Sequence, residues 1–529
     1  MKRFLKISGY SILGIIGLLL IIELTIRYSG RGLIKDLIKE LTIKATDGRV
    51  EIEYDHLDFS LFSDDLTFYN LAIGSKKTTT SSPNTFYLTT RKVTVDNLSY
   101  LGLILQKGNV LESIKMEGAR LNMYLIKEHQ RSKEEPEENW RESMPEIGIE
   151  DINLDNIFIS FTILDLENTE DTTEIHCNLN LKVKGVRKGE ISPIDADNVH
   201  LQAYNVYVKN INKFYSGHMD SLIIKSSKSV VRAHGFELLP NFPKSTFANF
   251  RGNSRPRLEL YFHTLRMDSC SVLDAFDQKL NAQKLTIDSI YADLYKNDRY
   301  PDPTEYNALM QQELREAPLS INIDTAVLEK GRVAYYLLGE KRAKEGVIFV
   351  DDLAATVANI SNDSSKQPTI EMTLTGKLMK LSPVTLRYQI PVFSDNNIFY
   401  SQGHMQNFHA KNFTPFTEPL MGIGFKSGYI SDLKYQLTGN ENVANGSLRM
   451  SYQNLVIDAV TRHGQDNLYT EAKEKIINLI LKKRRHEGEK RMIACQRDKT
   501  KGLLHFTTIA VLSGVKSKVT KGERLKKKK

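Results

Sequence analysis

The chain has 529 residues, 41% of them apolar, and a formal net charge of +8. A chain of this length is too long to fold around one ordinary globular core, unless it forms an elongated repeat structure. Its three cysteines (Cys177, Cys270 and Cys495) lie far apart and supply neither a disulfide framework nor the CxxC spacing of a metal or redox site.

A basic and then apolar N-terminus predicts a membrane segment. Three basic residues within the first six precede the apolar run Ile7–Ile22, and about twenty apolar residues span a bilayer. We expect residues 1–28 to be an uncleaved signal-anchor transmembrane helix. A cleaved signal peptide is the alternative, although no small-x-small cleavage site follows. The positive charge ahead of the helix favours a cytoplasmic N-terminus, with the bulk of the chain on the other side of the membrane.

After the anchor we expect an amphipathic helix, two β-rich halves joined by a helical linker, and a basic C-terminal segment. Their bounds are 29–48 for the amphipathic helix and turn, 49–301 and 319–485 for the two halves, 302–318 for the linker, and 486–529 for the C-terminal segment. The linker helix is expected over Asp302–Glu316, because Pro303 stands at its start and an apolar stripe follows. Helix-forming residues before it predict another helix at Ile476–Leu481.

An eight-residue pattern recurs in the sequence of the β-rich halves: apolar, any, apolar, acidic, any, apolar, any, apolar. Copies begin at Ile52, Val93, Ile114, Ile152, Leu265, Leu285, Ile321 and Ile348, whereas chance supplies about two. Apolar residues two apart place one face of a strand on a hydrophobic layer. The acid and the residue after it separate two apolar positions by three residues, which breaks the alternation. A β-bulge or bend at these two residues returns the next apolar side chain to the same face. The pattern therefore predicts a mainly β fold: an elongated, twisted antiparallel sheet forming a groove with one apolar face.

The copies also indicate a larger repeat. Those at Val93 and Leu265 each begin a series of three, spaced by 21 and 38 residues in the first series and by 20 and 36 in the second. We expect an internal duplication with an offset of about 170 residues. Chance similarity between alternating strands is the alternative, and unlike strand orders in the two series would contradict the duplication.

The C-terminal segment differs in composition from the β-rich halves. Leu503–Val515 is an apolar run of thirteen residues, too short to span a bilayer, and eight of the last fourteen residues are Lys or Arg. An apolar segment beside a polybasic one is attracted to an anionic membrane surface or to an acidic partner. A last packed helix with a solvated tail is the alternative.

No motif has the spacing of a catalytic or metal site. Asp151–Thr162 begins like a calcium loop, but asparagine and threonine stand where the loop requires glycine and glutamate. Gly422–Ser427 lacks the spacing of a phosphate loop, and His176-Cys177 has no second pair at ligand spacing. We therefore predict no enzyme, no cofactor and no metal. Basic residues do not alternate with aromatic residues, so no nucleic-acid partner is expected.

Alternating strand positions supply candidates for the apolar face of the groove. These are Leu121, Ile159, Ile287, Ile323, Leu437 and Tyr452. Taken singly, such residues are ordinary core, and taken together they line a groove. The sequence pattern is compatible with both interpretations.

Three stretches resemble the AsmA-like, TamB-related family of bacterial envelope proteins. They are "DGRVEIEYDHLDFSLFSDDLTFYNLAI", "VTVDNLSYLGLILQKGNVLESIKMEGARLNMYL" and "GYISDLKYQLTGNENVANGSLRMSYQNLVIDAV". In the third stretch Gly439, Asn440, Gly446, Tyr452 and Leu455 carry the likeness. The linker at Tyr300–Pro303 and the terminal "RDKTKGLL…LSGVKS" are similar to the Bacteroidetes-type form.

The resemblance implies a protein of the bacterial inner membrane, single-pass, with the bulk in the periplasm. It implies binding or transport of phospholipid acyl chains for outer-membrane biogenesis. The alternative is a non-enzymatic assembly or scaffold factor that binds outer-membrane or other envelope proteins, in part through the basic C-terminal tail. An envelope enzyme would require loops that bring scattered carboxylates together.

Overall fold

The computed structural model describes residues 50–59, 65–75, 85–98, 107–126, 146–165, 172–188, 194–271, 274, 278–340, 343–459 and 490–519. Strands make up 68% of these residues, so the expected mainly β class is confirmed. The predicted signal-anchor, the amphipathic helix at 29–48 and the helix at Ile476–Leu481 lie outside the described residues. None of the helices in the described ranges has both the length and the apolar character needed to span a bilayer.

The chain divides into two compact units. Unit 1 comprises Met1–Gly235 and Ser271–Asp277, and unit 2 comprises Phe236–Cys270 and Gln278–Lys529. The strands that begin in unit 1 are β1 (Val50–Glu53), β2 (His56–Phe59), β3 (Leu66–Ser75), β4 (Thr85–Leu98), β5 (Lys107–Glu117), β6 (Arg120–Ile126), β7 (Glu146–Leu164), β8 (Thr173–Lys188), β9 (Ile194–Asp195), β10 (Asn198–Ile211), β11 (Tyr215–Lys225) and β12 (Val230–Pro240).

Unit 2 contains further strands and four α-helices in its described part. The strands are β13 (Arg257–Asp268), β14 (Lys279–Asn297), β15 (Ser320–Leu328), β16 (Gly331–Leu338), β17 (Glu345–Ser361), β18 (Thr369–Leu378), β19 (Ser382–Pro391), β20 (Phe399–His409), β21 (Ile423–Gly439), β22 (Val443–Ala459) and β23 (Lys490–Gln496). The helices are α1 (Lys244–Arg251), α2 (Met310–Arg315), α3 (Thr414–Met421) and α4 (Leu503–Val519).

The expectation of a purely antiparallel sheet is wrong, because each unit contains a parallel junction. In unit 1, β7 runs parallel to β5 and β6. In unit 2, β14 runs parallel to β15 and β16. Adjacent parallel strands need a long crossover rather than a tight turn, and the connections 127–145 before β7 and 298–319 before β15 are long enough. The other described pairings between strands are antiparallel.

The two series of repeated strands have the same order and orientation. In unit 1, β4 pairs antiparallel with β5 and β6, which pair parallel with β7, which pairs antiparallel with β8. In unit 2, β13, β14, β15–β16 and β17 reproduce this sequence of pairings. This is the arrangement expected of an internal duplication. By strand register, the residue of the second series that is equivalent to Leu154 on the third strand is Leu328. The sequence pattern instead aligns Leu154 with Ile323, which is five residues earlier.

The eight-residue pattern places a left-handed residue directly after its acid. In six of the eight copies this residue has a positive φ between 48° and 61°: Asn97, Gly118, Asn156, Ser269, Ser289 and Asp352. The same apolar spacing without an acid surrounds Asn70, Asn205, Gly235 and Asn454, which also have positive φ. Gly, Asn, Asp and Ser tolerate this conformation or stabilise it locally. The determinant of the kink is therefore the turn-forming residue, and the acid before it is incidental.

Two differences from the expected elements lie around the C-terminal core. The helix expected over Asp302–Glu316 spans only α2, because Pro301 and Pro303 disfavour helical geometry at the residues before them. The basic segment 486–529 contributes an unexpected strand, β23, which pairs with β22. The apolar run that begins at Leu503 forms α4, and its buried side packs on β22 and β23.

Candidate functional site

The most extended apolar surface described in unit 1 runs across β7, β8, β10 and β11. Residues opposite each other in these antiparallel pairs point to the same side of the sheet. Their register produces five consecutive apolar rows: Ile152–Val183–Val199, Leu154–Leu181–Leu201–Ile224, Ile157–Leu179–Ala203–Leu222, Ile159–Cys177 with Val206–Met219, and Phe161–Ile175–Val208. We call these residues the open apolar face.

Left-handed residues keep these rows on one side of the sheet. The register of β7 against β8 shifts between Leu154 and Ile157, where Asn156 has φ 53°. The register of β8 against β10 shifts between Tyr204 and Tyr207, where Asn205 has φ 49°. Each bulge inserts the extra residue that strict alternation would need to return an apolar side chain to the same face.

The open apolar face is only partly covered. All of its side chains are partly exposed except Ile157 and Ala203, which are buried. On the β7 side the face adjoins the closed core of the same unit: Ile157 belongs to that core, and Ile152, Leu154, Ile159 and Leu179 pack against it. Within the core, Phe68 is 1% exposed and Val95 is 0% exposed. A contiguous apolar surface that is only partly covered is a candidate binding surface.

The opposite side of the same strands is polar and charged. Glu174 bonds Lys209 with 3.0 Å between Oε1 and Nζ, and Lys184 lies 3.6 Å from Asp151. The hydrogen bond from Lys209 lowers the pKa of the Glu174 carboxyl, although partial burial opposes the shift. Burial, followed by repulsion from Lys225 and Lys182, lowers the pKa of His200. The sheet is therefore amphipathic, with one apolar and one ionic surface.

Cys177 belongs to the apolar surface and its neighbour His176 to the polar one. His176 pairs with Ser160 and Tyr207, and its ring stacks on Phe158 with centroids 6.1 Å apart. Burial raises the pKa of the Cys177 thiol, so the thiol stays protonated and behaves as a small apolar group. The two residues point to opposite sides of β8 and do not form a shared ligand site.

Unit 2 has an apolar face that is closed at one end. A single row continues from β13 to β22: Leu265, Ile287, Leu328, Ala355, Leu374, Leu386, Gly403, Tyr435 and Leu448. The side chains from β13 to β15 are partly exposed. From β20 onward the row enters a buried core that includes Phe506 and Ala510 of α4.

The six candidate residues fall into different environments. Leu121 and Ile159 are direct partners on β6 and β7 and are partly buried beside the unit 1 core. Ile287 is partly exposed in the unit 2 row, and Ile323 on β15 is 6% exposed. Leu437 and Tyr452, 4% and 1% exposed, belong to the closed unit 2 core. The structure thus brings Leu121 and Ile159 together at the margin of the open apolar face.

Sequence reasoning missed the contribution of β10 and β11 to this face. Leu201, Ala203, Val206 and Val208 follow the apolar spacing of the eight-residue pattern, with Tyr204 in the acidic position. A pattern that required the turn-forming residue Asn205, rather than an acid, would have found this strand.

The described residues contain no group of three or more His, Cys, Asp or Glu arranged to hold a metal ion. Asp151 and Asp155, at the start of the calcium-like sequence, lie on β7 instead of in a loop. Comparisons with known proteins found neither a family model nor a curated protein that matches the chain.

Proposed function

We propose that this protein binds phospholipid acyl chains on the open apolar face, without covalent chemistry. The observation that carries the proposal is the set of five apolar rows on β7, β8, β10 and β11, which remain partly exposed while the reverse side is ionic. Each methylene buried there contributes about 0.8 kcal/mol. Because the protein would recognise only the acyl chains, we expect low specificity for the lipid headgroup.

The cellular setting is part of the same proposal. The apolar N-terminal run and the likeness to AsmA-type sequences support an inner-membrane anchor with the bulk of the chain in the periplasm. A protein placed there would bind or carry phospholipid for outer-membrane biogenesis or homeostasis. The open apolar face would supply a surface along which acyl chains slide, because no single polar contact fixes their position.

A second candidate function is an envelope assembly or scaffold factor. The closed core of β20–β23 and α4 favours it, because α4 covers the apolar side of the sheet there and because, among the described residues, β23 pairs with β22 alone and so presents a strand edge. Exposed strand edges pair readily with other chains. This function would use outer-membrane or other envelope proteins as partners rather than lipid.

The test compares phospholipid retained by three forms of the full chain in native mass spectrometry. We expect wild type to retain phospholipid at a reproducible ratio, and Ile159→Asp to lose it, because a carboxylate on the open apolar face would have to be desolvated. Ser160→Asp is the matched control, since Ser160 faces the ionic side. Equal retention by all three forms, or none by wild type, would reject lipid binding at this face.

A further inference from the structure

Helix α4 is apolar on two sides, and only one of them is packed. Its inner side meets β22 and β23: Phe506 is 2% exposed and Ala510 is 0% exposed. A Cβ placed on Gly514 would lie 3.0 Å from Cγ1 of Ile493, so helix and strand are in close contact there. Its outer side carries Leu504, Ile509 and Leu512, which are 61%, 41% and 48% exposed.

The polar side chains exposed on the outer side between its apolar residues are few, Thr508 and His505. Thr508, which lies between Leu504 and Leu512 on this side, donates its hydroxyl to the carbonyl oxygen of Leu504 at 2.8 Å. The sequence of α4 contains no acidic residue. Surface helices usually have one apolar stripe and one polar face. A helix that is apolar on both sides is instead suited to contact two apolar neighbours, and the sheet is only one of them.

The chain directly beyond this surface is strongly basic. Lys516 ends the outer side, and residues 516–529 contain eight Lys or Arg against one acid, Glu523. Apolar side chains next to a cluster of cations bind anionic bilayers, because the side chains insert among the lipids while the cations meet the headgroups.

From this combination we infer that the outer side of α4, together with the basic tail, docks on an anionic phospholipid bilayer. Leu504, Ile509 and Leu512 enter the headgroup boundary, and the tail supplies the charge. This contact is separate from the open apolar face of unit 1 and from the N-terminal apolar run. It provides the chain with a second attachment to a lipid surface.

The experiment separates this contact from any membrane segment at the N-terminus. The full chain is held in nanodiscs of neutral phosphatidylcholine, and co-flotation is measured with added vesicles of phosphatidylcholine alone or with phosphatidylglycerol. We expect co-flotation with the anionic vesicles only, weakening as salt is raised. Replacing Lys526, Lys527, Lys528 and Lys529 by Gln should weaken it by at least about tenfold.

Variants of α4 test the apolar part of the contact. Ile509→Asp with Leu512→Asp should abolish co-flotation, because both side chains are exposed and their loss leaves the inner side intact. Met492→Asp is the matched control: Met492 is 73% exposed on β23, and its neighbour Ile493 is the residue that meets α4. Thermal unfolding should be unchanged in both.

Two results would overturn the inference. One is the absence of binding to anionic vesicles by wild type. The other is binding that depends on the tail lysines but survives Ile509→Asp with Leu512→Asp, which would indicate an acidic partner for the tail alone. Phospholipid retention by the Ile159→Asp and Ser160→Asp variants is measured separately, so failure here leaves the proposed function standing.

Discussion

The backbone N–H of Gly118 donates a hydrogen bond to the carbonyl oxygen of Asp155, with 3.0 Å between the two atoms. Gly118 and Asn156, which follows Asp155, have φ of 61° and 53°. The bond joins the kink between β5 and β6 to the kink of β7. Beyond these kinks Leu121 and Ile159 are still paired. Neighbouring strands thus kink at the same level, and the apolar face continues across them.

The left-handed backbone at one position of β22 should make the free energy of unfolding depend on which side chain stands there. Asn454 has φ 52°, and we expect Asn454→Val to lower the free energy of unfolding by about 1–2 kcal/mol, because a β-branched residue is strained there. Asn454→Gly should be nearly neutral. Urea unfolding measures both, with Gln453→Val as the control at the preceding exposed position. Equal effects of Val at 453 and 454 would contradict the account.

A buried ion pair fastens β23 to the turn between β21 and β22. Arg497, whose side chain is 0% exposed, bonds Glu441 with 2.5 Å between Nη1 and Oε1, and Tyr306 donates to the same oxygen at 2.7 Å. Arg497 also donates to the carbonyl oxygen of Asn307. Removing Arg497 leaves Glu441, whose side chain is only 18% exposed, as a mostly buried carboxylate without its cation.

We therefore expect Arg497→Ala to lower the free energy of unfolding by about 3 kcal/mol. Arg497→Lys should restore only part of it, since an ammonium lacks the planar fork that reaches both acceptors. Arg449→Ala, at an exposed position on β22, is the control and should change the urea midpoint little. A wild-type midpoint for Arg497→Ala would show that the pair is not needed.

Low pH should reduce the folding stability of unit 2, because the Asp302 carboxylate contributes to it. Partial burial acts to raise the pKa of this carboxyl, but hydrogen bonds from Lys296, Ser254 and Lys501 outweigh it and hold the pKa well below its usual value of 3.8. The unfolded chain therefore takes up a proton as the pH falls through about 4, while the folded chain does not. Stability contributed by Asp302 is present above that pH and is lost below it.

The corresponding measurement is thermal unfolding of Asp302→Asn from pH 7 to pH 3. We expect the variant to be less stable than wild type at pH 7, and the difference to shrink as the pH falls below about 4. Asp395→Asn, at an exposed position, serves as the control. A difference between Asp302→Asn and wild type that stays constant with pH would contradict the assignment of the shift.

Close contact between α4 and the sheet limits the size of residue 514. A Cβ at Gly514 already approaches Cγ1 of Ile493 to 3.0 Å and Cβ of Leu448 to 3.2 Å. Gly514→Leu should therefore displace the helix and lower the melting temperature by several degrees. Thr508→Leu, on the exposed side of the same helix, should not. Similar melting temperatures for the two variants would show that α4 is loosely packed.

The strand content and the one-sided apolar alternation could be predicted from sequence because both depend on local spacing. The kink could be located but not explained, since the acid of the eight-residue pattern is incidental and the left-handed Asn, Gly, Ser or Asp after it is the cause. The parallel junction of β7 depends on a crossover, and spacing within a strand carries no information about crossovers. β23 was missed because Lys490–Gln496 is short and lies in a basic segment.

The candidate face was only partly predictable for a similar reason. Ile159 and Tyr452 both stand at alternating apolar positions, yet Ile159 is partly exposed while Tyr452 is buried in the core that α4 helps to close. Coverage by a distant helix is a tertiary property. Alternation shows which side of a strand is apolar, and the packing of other elements decides whether that side is open.

Acyl-chain binding at the open apolar face is tested most directly by locating where a lipid acyl chain contacts the protein. A phospholipid with a photoreactive diazirine in its acyl chain is bound to the full chain and irradiated, and the labelled residues are mapped by peptide mass spectrometry. We expect labels on apolar-facing residues of β7, β8, β10 and β11, such as Leu154, Leu181 and Val206. Labels confined to polar-facing residues such as Lys182, or no labels in unit 1, would contradict it.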